Sequence, residues 1–287
     1  MAYKVQGDNL ENVSARETLK FANRNINPKY IAVHYTAGSS LESSIRHLKK
    51  KGFSYHILID RDGSVVQGAP LTKRASHAGY SNWKGRNSLN NWAIGISLAN
   101  LGYLDPQGDQ FFNLNSHGEP ISPRLEPENV LLSTHPNGHI GSSPKGWEVY
   151  TDAQYAAINE VIEALLVAFP SIIDAVGHDE IAIGRKPDPG PAFDWERIHH
   201  LFPRRASEVG PLYRVNVRNG DHLNVRSGPN GKWPVIKKLA PGEKVHLHSH
   251  AYRYAAGKPV KTEWVSIARE GQLDHLGFVH ASFLRST

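Results

Sequence analysis

Hydrophobic and polar positions change rhythm several times along the chain, and each change marks an element. Tyr30-Ile-Ala-Val-His34-Tyr is a short apolar, β-branched run and predicts a buried strand ending at a histidine. Leu41, Ile45 and Leu48 then recur at helical spacing through Lys50, with Ser40 placed to cap the helix and Gly52 to stop it. Phe53 to Asp60 returns to a strand pattern, and Asp62-Gly63 before Ser64-Val-Val-Gln67 predicts a hairpin. Alternation there sends Tyr55 and His56 to opposite faces, so only one of them looks into a cleft. Trp92-Ala-Ile-Gly-Ile-Ser97-Leu reads as another buried strand. Thr151-Asp-Ala-Gln154 resembles a capping box, and Tyr155, Ile158, Ile162, Leu165, Leu166 and Phe169 follow at helical period until Pro170. A second helix is expected around Trp195 to Leu201.

Between these elements the pattern lapses. Residues 1–28 are polar and mixed and read as an N-terminal arm of unsettled structure. Residues 101–150, rich in Gly, Pro, Asn and Ser, read as a long loop holding His117, His135 and His139 as exposed histidines. A linker is expected over 204–211. Beyond it come brief β-rich runs with turn signals between them, which suggest a small barrel over 212–287. The expected organisation is therefore an α/β (α+β) catalytic domain over 29–203, a central mixed β-sheet flanked by helices, followed by a small all-β barrel.

Composition narrows the partners. A length of 287 residues favours two domains, and 39% hydrophobic with 21% charged residues is an ordinary globular balance. With no cysteine, any metal must be held by nitrogen and oxygen donors, and the chain suits an oxidising periplasm or exterior. A net charge of +6 and a pI near 9.4 favour a polyanionic partner such as cell wall, nucleic acid or anionic lipid. No basic-aromatic platform supports nucleic acid. No stretch approaches the roughly 18 apolar residues of a membrane span, and the first eight residues lack a signal-peptide core, so export needs another route or a leader outside this chain. The chain is expected to act as a monomer.

The densest chemistry lies in Val176-Gly-His178-Asp-Glu-Ile-Ala-Ile-Gly-Arg-Lys186-Pro-Asp188-Pro-Gly-Pro-Ala-Phe-Asp-Trp195. An apolar stretch delivers His178, and Pro187, Pro189 and Pro191 stiffen the loop carrying Asp188. One histidine and one aspartate are two thirds of an open zinc site, and His34, at the end of its strand, is the best candidate for the third ligand.

At these residues the chain resembles the zinc-dependent N-acetylmuramoyl-L-alanine amidases of the type-2 class, with peptidoglycan recognition proteins and phage amidase-type lysozymes. Ile31-Ala-Val-His34-Tyr-Thr, Ser54-Tyr55-His56-Ile-Leu-Ile-Asp-Arg-Asp-Gly63, Ala75-Ser-His77-Ala-Gly79, Asn91-Trp-Ala-Ile-Gly-Ile-Ser97-Leu and the His178 to Trp195 run stand in family order over residues 28 to 202. The resemblance implies one catalytic zinc on His34, His178 and Asp188, with Tyr55 and Lys186 as catalytic groups. His77, Ser97 and Trp92 are the expected substrate contacts. Many members carry a glutamate where Ser97 stands; its absence resembles the recognition-protein and phage-lysozyme branch. Leu223-Asn-Val-Arg-Ser-Gly-Pro-Asn230, with Gly277-Phe-Val-His-Ala-Ser-Phe-Leu284, resembles bacterial SH3-like domains, which commonly bind peptidoglycan. These likenesses imply hydrolysis of the muramoyl-L-alanine amide in polymeric cell wall, in the periplasm or outside the cell. A cytoplasmic enzyme recycling free anhydro-muropeptides, or a peptidoglycan-binding protein without catalysis, is the alternative.

Overall fold

The computed structural model describes residues 2–108, 110–114, 117–135, 137, 140, 143–199, 201–202, 211–255, 258–270 and 276–287. Its centre is a six-stranded mixed sheet in the order Asp174–Gly177, Tyr30–Tyr35, Ala93–Leu98, Ile57–Ile59, Val65–Gln67, Ala15–Arg16. The first four strands run parallel, and the hairpin reverses direction between Ile57–Ile59 and Val65–Gln67. Alternation along the strands divides the core into two layers. Ile31, Val33, Ile94, Ile96 and Leu98 pack with Ile158, Val161, Ile162 and Leu165 of helix α2 (Asp152–Ala168), while Tyr30, Ala32, Ala93 and Val176 meet Trp83, Leu89 and Ile181 on the other face. Helix α1 (Leu41–Lys51) lays Leu41, Ile45 and Leu48 against Leu58 and Val66.

Both helix boundaries follow their expected caps. Ser40 Oγ accepts from the Ser43 N–H, and Gly52 ends α1 in the left-handed region at φ 71°. At α2, Thr151 Oγ1 accepts from the Gln154 N–H, and Gln154 Oε1 accepts from the Thr151 N–H, both at 3.1 Å.

Two stretches depart from expectation. The first 28 residues are part of the fold: Ala15–Arg16 pairs with Val66 and Gln67, Phe21–Asn25 pairs with Lys73–Ala75, and Leu10 and Leu19 are fully buried. The supposed loop over 101–150 contains a four-stranded antiparallel sheet in the order Gln110–Phe112, Tyr103–Gln107, Lys145–Glu148, Val130–Ser133. Its own small core is Leu101, Leu104 and Phe111. Strands of three to five residues cannot show a sustained period, which is why the pattern concealed them.

Apart from Pro211, the expected linker lies outside the described residues, as does His139. From Leu212 to Ser286 the chain forms an antiparallel seven-stranded sheet around its own core, including Val225, Val245, Val265, Ile267 and Val279. Its Ala251 and Phe278 pack with Ile183 of the first unit.

Thr151 Oγ1 also donates to the Arg61 carbonyl at 2.6 Å, so its hydroxyl joins α2 to the hairpin. Thr151→Ala should therefore lower the unfolding free energy by about 1–2 kcal/mol, read as a shift of the urea midpoint in circular dichroism. An unchanged midpoint would show that the cap contributes nothing.

Candidate metal centre

The parallel register builds half of the site. Gly177 stands opposite Val33, so the residues that follow them, His178 at the start of a short helix and His34 within its strand, emerge side by side at the carboxyl edge of the sheet. A turn then brings back the Pro-rich loop, whose Asp188 carbonyl accepts from the Asp179 N–H at 2.7 Å. His34 Nδ1 and His178 Nδ1 lie 3.0 Å apart, and each is 2.9 Å from Asp188 Oδ2. All three residues are buried. Among the described residues this is the one group of three or more His, Cys, Asp or Glu side chains spaced to share an ion.

The backs of the histidines decide what their fronts can do. His77 Nε2 lies 3.3 Å from the Ala93 carbonyl, which can only accept, so the proton resides on Nε2 and leaves His77 Nδ1 bare. His77 Nδ1 in turn accepts from His34 Nε2–H at 3.0 Å, which leaves His34 Nδ1 bare. The Ala78 carbonyl, 3.1 Å from His178 Nε2, can only accept and so places the proton on Nε2 and leaves His178 Nδ1 bare, while Arg185 Nη2 donates to the same carbonyl at 2.7 Å. Burial, reinforced by His178, brings the His34 pKa down to about 4. Burial also lowers His178, though Asp188 opposes it, and pushes His77 well below the ordinary range. All three rings are thus neutral at pH 7.

Two bare nitrogens facing each other across 3.0 Å with a carboxylate beside them repel unless a cation is shared between them. Nitrogen and oxygen donors at bond lengths of about 2.0–2.1 Å in tetrahedral zinc stand roughly 3.3 Å apart, close to the spacing here. The donor set, two neutral imidazoles and one carboxylate, fits zinc with a position left for solvent or substrate.

Around the trio, the Tyr55 ring centroid lies 4.9 Å from that of His34. Burial foremost, and the Asp188 charge next, raise the Tyr55 pKa, so the phenol stays protonated and can donate. The Lys186 charge is close enough to disfavour protonation of both His34 and His178.

Residues 24–191 match the family described as N-acetylmuramoyl-L-alanine amidase. The chain belongs to this family. It is similar to the 1,6-anhydro-N-acetylmuramyl-L-alanine amidase AmpD of Salmonella typhimurium (strain SL1344), 35% identical over 160 residues, which are 55% of this chain and 60% of that protein. It is also similar to the N-acetylmuramoyl-L-alanine amidase AmiD of Escherichia coli (strain K12), 27% identical over 180 residues, 59% of this chain and 51% of that one. The chain thus spans about 60% of the length of the AmpD relative it matches. A crystal structure of an AmpD derivative aligns over 69% of this chain and 98% of its own, with a TM-score of 0.45 and 26% identity.

Of the site residues expected from sequence, the structure brings His34, His178 and Asp188 together with the Tyr55 ring beside His34, carries Lys186 on the Asp188 loop, and sets three away from the cleft. His77 is no substrate contact in this geometry: it is buried behind His34, over Gly95, where an added Cβ would come within 2.6 Å of the ring. Ser97 pairs in register with His34 and is wholly buried, so substrate cannot reach its hydroxyl. Trp92 precedes the opposite end of the same strand, five residues and roughly 16 Å from Ser97, where its ring receives the Arg86 guanidinium at 4.4 Å. His135 corrects a further expectation, since it is buried against Asp179 rather than exposed. Sequence reasoning also missed Arg185, Asn137 and Tyr150, which act through backbone carbonyls and leave no motif.

Because a glutamine amide can accept from His34 and donate to Ala93, His77→Gln should hold zinc within a few-fold of wild type, whereas His77→Leu should weaken it roughly 10–100-fold in a chelator competition. Equal affinities in the two variants would remove His77 from the site.

His56, beneath the site, accepts from the Gly95 N–H at Nδ1 and donates to the Lys73 carbonyl from Nε2, and burial brings its pKa down to about 4. An unfolded histidine titrates near 6.5, so between pH 4 and 6.5 the unfolded chain binds more protons and stability is lost as pH falls. The metal-free protein should lose up to about 1.4 kcal/mol per pH unit for each of His34 and His56 in this window. Urea midpoints at pH 7, 6 and 5 test this, and a flat profile would contradict the neutral, buried state of these rings.

Proposed function

We propose that this chain hydrolyses the amide bond joining the lactyl group of N-acetylmuramic acid to the L-alanine of the stem peptide. The observation that carries the reading is the buried trio of His34, His178 and Asp188 with its two bare ring nitrogens, in a chain of the N-acetylmuramoyl-L-alanine amidase family. Zinc bound there would supply a Lewis acid and a water with a pKa lowered to roughly 7. The chain's own groups do the rest. As negative charge grows on the amide oxygen, the Lys186 ammonium offsets it, and the protonated Tyr55 hydroxyl donates to it or orients the attacking water. Asp188 and the two histidines stay in the forms that bind a cation. Ser97 offers no carboxylate as a base, so the barrier is lowered chiefly by charge stabilisation from Lys186 and Tyr55.

Polymeric peptidoglycan is the substrate we favour, met in the periplasm or outside the cell by a monomer. The all-β unit from Leu212 to Ser286 lies beyond the family-matched residues and includes the stretch resembling SH3-like wall-binding modules, and the net charge of +6 suits an acidic polymer. The names of the AmpD relatives favour a second reading, free 1,6-anhydro-muropeptides.

Purified sacculi and a soluble 1,6-anhydromuramoyl tripeptide, each incubated with zinc-loaded protein and with His178→Ala, separate these readings by mass spectrometry. Release of stem peptides from sacculi is expected. Cleavage of the soluble compound alone selects the second reading, and cleavage of neither overturns the amidase assignment. Lys186→Ala should bind zinc normally yet turn over on the order of 100-fold more slowly, the typical worth of one preorganised charge donor. Full turnover in that variant would exclude the role given to Lys186.

A further inference from the structure

The described residues of 101–150 contribute no ligand atom to the trio, yet their side chains close on the segment that does. Asn137 Nδ2 donates to the Lys186 carbonyl at 2.7 Å and reaches that of Asp179 at 3.5 Å. The Tyr150 hydroxyl donates to the Pro189 carbonyl at 2.9 Å. His135 Nδ1 accepts from the Asn137 N–H at 3.1 Å, which fixes its tautomer and leaves Nε2–H to donate to Asp179 Oδ2 at 3.1 Å. Trp147 covers Gly190, where a Cβ would come within 2.4 Å of the ring and where φ is +77°. Asn137, Tyr150, His135 and Trp147 are all buried.

The loop they hold has little to hold itself. Pro187, Pro189 and Pro191 lack N–H groups, so it cannot join a ladder, and its buried carbonyls need donors from elsewhere. Asn137 and Tyr150 supply a donor at Lys186 and another at Pro189, on either side of Asp188. Losing either donor would leave a carbonyl of the loop without that partner and give the loop freedom to carry Lys186 and Asp188 off position.

We propose that the segment carrying His135, Asn137, Trp147 and Tyr150 is a clasp that sets the positions of Lys186 and Asp188, with Asn137 and Tyr150 as its positioning residues. The consequence for turnover rests on the role given to Lys186 above; the consequences for loop exchange and zinc affinity do not.

The test uses the full chain with Asn137→Asp, isosteric but without the amide donors, and Tyr150→Phe, which keeps the ring packed. Hydrogen exchange at the Asp188 and Gly190 amides should quicken about tenfold or more in both variants, and zinc affinity should fall by roughly tenfold. On a soluble muropeptide with zinc saturating every variant, kcat should fall on the order of tenfold with KM within about twofold, and in a Lys186→Ala background the same substitutions should cost less than about twofold. A general loss of stability would instead multiply with Lys186→Ala. Wild-type exchange and zinc affinity in both variants, or full multiplicativity in kcat, would overturn the clasp. If Asn137→Asp fails to fold, Tyr150→Phe decides, and if the wild-type protein cleaves nothing, the exchange and affinity measurements still decide.

Discussion

Two neutral imidazoles can face one another across 3.0 Å only because hydrogen bonds at their far sides dictate which nitrogen carries the proton. The Ala93 carbonyl acting through His77, and the Ala78 carbonyl acting on His178, fix both tautomers with oxygens that cannot donate. Burial removes the other escape, protonation, by making the charged rings costly. A buried arrangement with unanswered lone pairs is expensive in isolation, so the rest of the fold must hold it rigid. The four parallel strands provide that rigidity, because their ladder holds His34 itself and the Gly177 from which His178 follows.

The site thus draws on two kinds of support. The histidines are positioned by regular backbone pairing, which needs no particular side chains. Asp188 and Lys186 ride on an irregular loop whose carbonyls are satisfied by the side chains of Asn137 and Tyr150, which lie in the connections of a separate small sheet. The first support is a property of the sheet. The second depends on a handful of buried residues and is correspondingly easier to alter without disturbing the core.

What could be read from the sequence follows the same division. Helices α1 and α2 were legible through period and caps, and the strands ending at His34 and Ser97 through their apolar runs. His34, His178 and Asp188 were legible because ligand types at strand ends and in a proline-stiffened loop are unusual enough to notice. His77 misled because its direction depends on a missing side chain at Gly95, eighteen residues away. Trp92 misled because alternation tells which face a residue takes and is silent about which end of the strand holds the chemistry. Asn137 and Tyr150 bond to main-chain oxygens, which every residue possesses, so no spacing could have marked them.

The first 28 residues bear on how the family-matched region can be handled. Ser14, Glu17 and Leu19 donate backbone N–H groups to the Val65, Gln67 and Gly68 carbonyls, and Leu10 donates to Gln67 Oε1. They seal the outer rim of the central sheet. Cutting the chain back to the family-matched span would uncover a row of unpaired strand groups beside the apolar patch left by Leu10 and Leu19, a ready template for edge-to-edge aggregation. Poor solubility of such a fragment would reflect a lost border strand and would say nothing about the chemistry at the opposite side of the sheet.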